Sequence, residues 1–318
     1  MTLELNKEYF KQLDQELNLI PITYDFAFKK LFRTNLDILK DLLKVVIPLD
    51  ITEDCKIRLM DGELPKENKN EKKKIVDIYV VLDGKIYVDI EMNRSLFENV
   101  LERNIKYKDK LSSMIPKVGE DIIKLKDKKL YQLNLNANES EKILDDIVVL
   151  YGIKTKKIYS ANEYMIIKSL ERYRDLYYNG DREEDVMWLT ALTSRTFTEL
   201  YEIVSKILPE EKARRFMEGA INMSKDEFVL HEWNKELFDE LVKSNEIEHA
   251  KNEGKSLGIE EGKSLGIEEG KILGIKEKQI EIAKNLLKEN VDINIIVKST
   301  GLTKEAIQKL SEEKNNTN

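Results

Sequence analysis

Residues 75 to 94 read IVDIYVVLDGKIYVDIEMNR, a stretch in which Asp77, Asp89, Glu91 and Asn93 interrupt an otherwise apolar alternation. Successive strand side chains point to opposite faces, so Tyr87, Asp89, Glu91 and Asn93 share one face while Val88, Ile90 and Met92 share the other. Carboxylates gathered on one face repel each other and are costly to desolvate without a counter-ion. A divalent cation resolves that conflict. Oxygen donors of this kind select Mg²⁺, with Mn²⁺ as a substitute, and such a site uses one or two protein carboxylates together with water and substrate phosphate. The ion would polarise a phosphodiester and lower the pKa of an attacking water. The plainer reading of the same alternation is the solvated face of a sheet, which needs no ligand.

The hairpin loop decides whether Asp77 joins the other acids. A two-residue turn at Asp83-Gly84 would set Asp77 opposite Ile90 and turn it away from Glu91. A three-residue loop, Leu82-Asp83-Gly84, with Gly84 in the left-handed region, pairs Asp77 with Asp89 and gathers the apolar residues on the opposite face. The second arrangement is expected.

The elements that must position these acids are legible on either side. YDFAFKKLF and NLDILKDLLKVVI place Phe28, Leu31, Phe32, Ile38, Leu42 and Val45 at helical spacing, ending before Pro48. A short extended segment around 57 to 60 precedes GELPKENKNEKKK, which has the composition of an exposed loop. Residues 96 to 115 return to helical periodicity, and LYQLNLN and DIVVLYGI read as strands. The first 155 residues therefore form an α/β unit. A helical region is expected over 156–249, opened by the capping-box patterns Ser160/Glu163 and Ser224/Glu227.

Over 250–276 an octad repeats, with glycines at 254, 258, 262, 266, 270 and 274. On a helix this spacing drifts by about 40° per step, giving a winding groove rather than a coiled-coil seam. Each interior glycine costs about 0.8 to 1 kcal/mol against alanine. The segment is either a linker or a helix that associates with a second copy. Residues 277–318 read as a small helical unit broken at ENVD and STGLT, compatible with a helix-turn-helix or with a packing cap.

Composition bounds these readings. The 318-residue chain carries a formal net charge of −7, so no chain-wide basic field draws it to nucleic acid, and any DNA contact must be local. Cys55 is the single cysteine and His231 and His249 the only histidines, which excludes a disulfide framework and a Cys/His zinc site. The N-terminus lacks the apolar run of a signal peptide and no segment approaches the roughly 20 apolar residues of a membrane span. A cytoplasmic location without membrane contact is expected.

Taken in order, YDFAFKKLF, VDIYVVLDGKIYVDIEMN and ERNIKYKDKL resemble the PD-(D/E)XK nuclease superfamily, in its recombination-promoting nuclease and transposase branch. The resemblance covers roughly the first half of the chain, and the trailing octads and AKNLLKENVDINIIVKSTGLTKEAI resemble tails of that branch. It implies a restriction-endonuclease-like mixed sheet flanked by helices, followed by a helical region and a long C-terminal helical extension. It also implies a Mg²⁺-dependent DNA endonuclease with Asp77 and Glu91 holding the metal and Asp25 as the acid of the first core helix. Arg103 and Tyr107 match the branch's Arg/Tyr positions, and Asp89 is a further candidate ligand. Two departures stand out: Asn93 occupies the place of the superfamily's lysine, and Val76 that of its proline. An amide supplies no positive charge, although it can orient a water, and Arg103 is the expected replacement. The alternative is a catalytically weakened module that binds nucleic acid or protein through the C-terminal helices.

Overall fold

The computed structural model describes residues 6–64, 74–94, 100–115, 128–137 and 145–315. Contacts divide the chain into two units, Met1–Leu237 and Phe238–Asn318. In the first, α1 (Lys7–Glu16), α2 (Asp25–Thr34) and α3 (Leu36–Val46) precede β1 (Ile57–Leu59). The short strands β2 (Glu63–Leu64) and β3 (Lys74–Ile75) pair with each other. Then follow β4 (Ile78–Leu82), β5 (Ile86–Asn93), α4 (Val100–Met114), β6 (Lys129–Asn136), β7 (Asp146–Gly152) and β8 (Lys157–Ser169). Four helices complete the unit: α5 (Leu170–Tyr178), α6 (Glu184–Leu192), α7 (Phe197–Ile207) and α8 (Glu210–Lys225). The helix α9 (Glu227–Lys288) runs on into the second unit.

Six strands form a mixed sheet in the order β1-β4-β5-β6-β8-β7. The β4–β5 hairpin is antiparallel, whereas β5, β6 and β8 run parallel. This is the restriction-endonuclease-like arrangement. Its two faces differ in chemistry. Ile78, Val80, Leu82, Val88, Ile90 and Met92 enter the main core with Phe28, Phe32, Trp188 and Phe216. Tyr79, Val81 and Tyr87 join Leu111 of α4 in a smaller cluster on the other face. The period-two pattern of the sequence maps directly onto those faces.

Several expectations need correction. Val76 donates to the Gly62 carbonyl and packs with the α4 cluster, so the strand expected over 75 to 81 breaks at Val76-Asp77 and β4 starts at Ile78. No helix starts at Ser160. Residues 157 to 169 are a strand whose Glu163 accepts from Lys108 and Ser112, and this tertiary demand overrides the local capping pattern. Ser224 is no cap either. Its hydroxyl lies in the last turn of α8 and accepts from the Ile20 amide, while Asp226 caps α9 by accepting from the Val229 amide. The boundary expected near residue 155 falls in the β7–β8 turn, and α5 through α8 share one core with the sheet. The loop residues 65–73 and the helix residues expected at 96–99 lie outside the described residues.

In the second unit the octads are helical within α9, and no neighbouring atom comes within 4 Å of where a Cβ would stand on any of the six glycines. The linker alternative is thus corrected to continuous helix. The end of α9 forms a small core with α10 (Ile293–Thr300) and α11 (Lys304–Asn315) through Ala283, Leu287, Ile296 and Ile307. Gly301 takes the left-handed C-cap of α10 at φ 70°, which sets the turn between the two short helices.

Candidate active site

The hairpin closes through Asp83, Gly84 and Lys85, with Leu82 opposite Ile86 and both Asp83 and Gly84 at positive φ. The loop has three residues as expected, but it sits one position later in the sequence. Tyr79, not Asp77, therefore faces Asp89, Ile78 faces Ile90, and one position beyond that last pair Asp77 comes level with Glu91. Here the break at Val76-Asp77 matters. Asp77 Oδ2 accepts from the Met92 amide at 2.8 Å, and the Asp77 amide approaches Glu91 Oε1 at 3.4 Å. The two acids expected to act together meet across the start of β4 and the end of β5.

Helix α2 contributes a stripe at four-residue spacing: Asp25, Lys29 and Arg33. Lys29 Nζ lies 2.8 Å from Asp25 Oδ2 and 3.0 Å from Asp77 Oδ1. Arg33 donates to the Asp77 carbonyl at 2.8 Å. The stripe exists because Phe28, Leu31 and Phe32 bury the opposite side of α2 in the core. Sequence reasoning missed Lys29. The available signal was its position one helical turn after Asp25 in YDFAFKKLF.

On the α4 side, β5 and β6 present matched polar ladders. Asp89 stands beside Gln132, Glu91 beside Asn134 and Asn93 beside Asn136. All six are buried. Asn104 of α4 donates to Asn134 Oδ1 and Asn93 Oδ1, while Gln132 donates to Asp89 Oδ2 and to the Asn104 carbonyl, both at 2.9 Å. Asn93 Nδ2 donates to Asn136 Oδ1 at 3.0 Å, and Arg103 donates to Asn93 Oδ1 at 2.7 Å. The Arg103 guanidinium also lies over the Tyr107 ring, 5.7 Å from its centroid. Gln132, Asn134 and Asn136 were legible only as the polar half of a strand. Without the partner register nothing marked them as part of a site.

The electrostatics follow from burial. Desolvation, reinforced by the Asp25 charge and opposed by Lys29, pushes Asp77 up to about 6. Glu91 is raised well above the ordinary carboxylate value by burial and then by Asp89 and Asp77, with Arg103 opposing. Asp89 is wholly buried and pushed up to about 7 by desolvation, and its Oδ1 has no hydrogen-bond partner among the described residues. Burial lowers the Lys29 pKa, but Asp77 and Asp25 outweigh it and the net direction is upward. A lysine fixed in its charged form thus faces acids whose charge is poorly compensated.

The donor set suits a hard divalent cation: the Glu91 carboxylate lies against the Asp77 amide and feels the Asp77 charge, and burial above all raises both acids. Among the described residues no group of three or more His, Cys, Asp or Glu side chains has a metal-binding arrangement. The pair accords with an ion that keeps most of its coordination for water and phosphate.

Residues 22–248 match the family model described as PD-(D/E)XK nuclease family transposase. Residues 276–312 match the model described as Rpn/YhgA-like nuclease family, C-terminal HTH domain. No curated protein and no solved structure is similar enough to count as a match.

Proposed function

Since the chain belongs to the PD-(D/E)XK nuclease family transposases, we propose that it is a Mg²⁺-dependent DNA endonuclease that hydrolyses phosphodiester bonds. The observation that carries this reading is that Asp77 adjoins both Glu91, whose carboxylate reaches the Asp77 amide, and the Lys29 ammonium, 3.0 Å from Asp77 Oδ1. Asp77 and Glu91 would hold the ion, and Asp89, buried behind them, is the third candidate oxygen donor. When bound, the ion would supply Lewis acidity to the phosphate and a lowered pKa to the attacking water.

The remaining roles belong to the chain's own side chains. Lys29 places a fixed positive charge within 3.0 Å of Asp77, the place where a nucleophilic oxygen or a scissile phosphate would need one. It thereby takes the part that Asn93 cannot. Asp25 accepts from Lys29 and orients it. Asn93, whose amide is engaged at both ends, holds Arg103 toward the site, and Tyr107 supports the guanidinium. Arg103 would meet the phosphate charge. In this reading residues 1–155 carry the chemistry, the helices of 156–249 buttress the sheet, and the helix-turn-helix in 277–318 grips DNA. The octads of 250–276 would associate between copies, and the location would be the cytoplasm. No helix among the described residues is long and apolar enough to cross a membrane.

Plasmid nicking with Mg²⁺ tests the proposal. Wild type should convert supercoiled DNA, and EDTA, Asp77→Ala and Glu91→Ala should each abolish conversion. Wild type that never cleaves any DNA form with Mg²⁺ or Mn²⁺ would leave the second reading, a DNA-binding module with a decayed site. The observation favouring that reading is Asn93, bound on both sides by neighbouring amides in the position of the superfamily lysine.

A further inference from the structure

The sheet ends on β7, which among the described residues pairs on one side only, with β8. An edge strand presents a row of backbone donors and acceptors, and proteins blunt such edges with proline, charge or shortness. DIVVLYG does none of these: it spans seven residues without proline and carries no charge after Asp146.

The irregularities of the hairpin lie on the other strand. Val148 faces Met165 and Leu150 faces Ser160, so the four residues 161–164 of β8 stand opposite Val149 alone, and Tyr159 is passed over again between Leu150–Ser160 and Tyr151–Ile158; the extra residues belong to β8, and β7 carries none. Bulges bend the strand that carries them. Beyond the larger of the two, residues 150–160 form a two-stranded ribbon with Leu150 65%, Ile153 79%, Ile158 59% and Tyr159 64% exposed. A lone two-stranded ribbon is marginal in water, and this one exposes large apolar side chains on both faces, Leu150 on one and Tyr151 with Ile158 on the other, which marks it as a segment that gains from a partner.

The charges say what covers it. Asp146 starts β7, while Asp145 before it is held by the Ser169 amide and Lys168; Lys154, Lys156 and Lys157 stand at the far end, with no acid from 147 to 162. A strand that is acidic at one end and basic at the other complements itself when turned antiparallel. A twofold axis at Val149 sets Asp146 opposite Gly152 of the second copy and brings each acidic start beside the other's lysine turn. We propose that β7 is a dimerisation edge, on which two copies of this chain pair antiparallel and continue the sheet across a twofold axis. The contact is isologous, so a single strand supplies both halves. It stands independently of the nuclease reading, because mass in solution is read without DNA or metal.

Sedimentation equilibrium of the full-length protein tests it. Wild type should be dimeric at micromolar concentration. Leu150→Lys should become monomeric while keeping the wild-type circular dichroism spectrum, since the side chain it replaces is exposed. Lys154→Glu should weaken the dimer several-fold, and adding Asp146→Lys should restore it, a rescue that misfolding cannot produce. A Val149→Cys protein should cross-link to itself on mild oxidation. A monomeric wild type would overturn the proposal. So would a dimer whose dissociation is unmoved by Leu150→Lys, which would place the contact elsewhere, as on the octads. Loss of DNA affinity in Lys154→Glu at unchanged mass would overturn it too, by making the ribbon a DNA arm.

Discussion

Lys29 is where residue-level chemistry departs furthest from the motif. The superfamily lysine belongs two residues after Glu91 on β5; here that position is an amide, and in the proposed site the ammonium would come instead from Lys29 of α2, 3.0 Å from Asp77. Lys29→Ala should lower cleavage by roughly 10²-fold while leaving DNA retention nearly intact, the scale expected for removing one preorganised charge from the transition state. Lys29→Arg should restore part of the rate; equal loss in both variants of cleavage and of folded protein would mark the lysine as a strut. The acids carry a second expectation. Burial raises Glu91 above its unfolded value, so its contribution to stability is fully present below about pH 4.5. That contribution falls as pH rises through the raised folded value, and Asp77 behaves likewise between the ordinary aspartate value of 3.8 and about 6. Glu91→Gln should therefore melt several degrees above wild type at pH 7.5 without metal, and the gap should shrink at pH 5. A gap that widens on acidification would contradict this account of the site.

At the scale of elements, β4 and β5 were readable because apolar and polar residues alternate, and the parity of their pairing followed from the cost of burying carboxylates among Val88 and Ile90. The register was not readable: Leu82 had to pair with Ile86 rather than enter the loop, a choice set by packing of Leu82 in the main core. The break at Val76 was equally hidden, because the Gly62 carbonyl that takes its amide comes from a distant segment. Ser160 and Glu163 carried a helix-start signature that the sheet overrode, since α4 offers Lys108 and Ser112 to the Glu163 carboxylate. In the second unit, α10 and α11 around Gly301 follow the punctuation of the sequence closely. In a helix-turn-helix the second helix enters the major groove by its N-terminal residues. Lys304 and Gln308 are exposed there, one turn apart on α11. Lys304→Ala with Gln308→Ala should weaken binding to duplex DNA several-fold at low salt in a gel-shift assay, and unchanged affinity would assign α10 and α11 to packing alone.

For the whole molecule, the acidic net charge and the family assignment are compatible under the proposed function, in which contacts to DNA would be delegated to local surfaces: the Lys29 and Arg103 side chains at the site and the helix-turn-helix. The account rests on Asp77 and Glu91 acting as joint ligands, and calorimetric titration with Mn²⁺ asks that question without requiring a DNA substrate. Wild type should bind a single ion per chain at the site, and Asp77→Asn and Glu91→Gln should each remove that binding while remaining folded by circular dichroism. Mn²⁺ bound as tightly by both variants as by wild type would contradict the account.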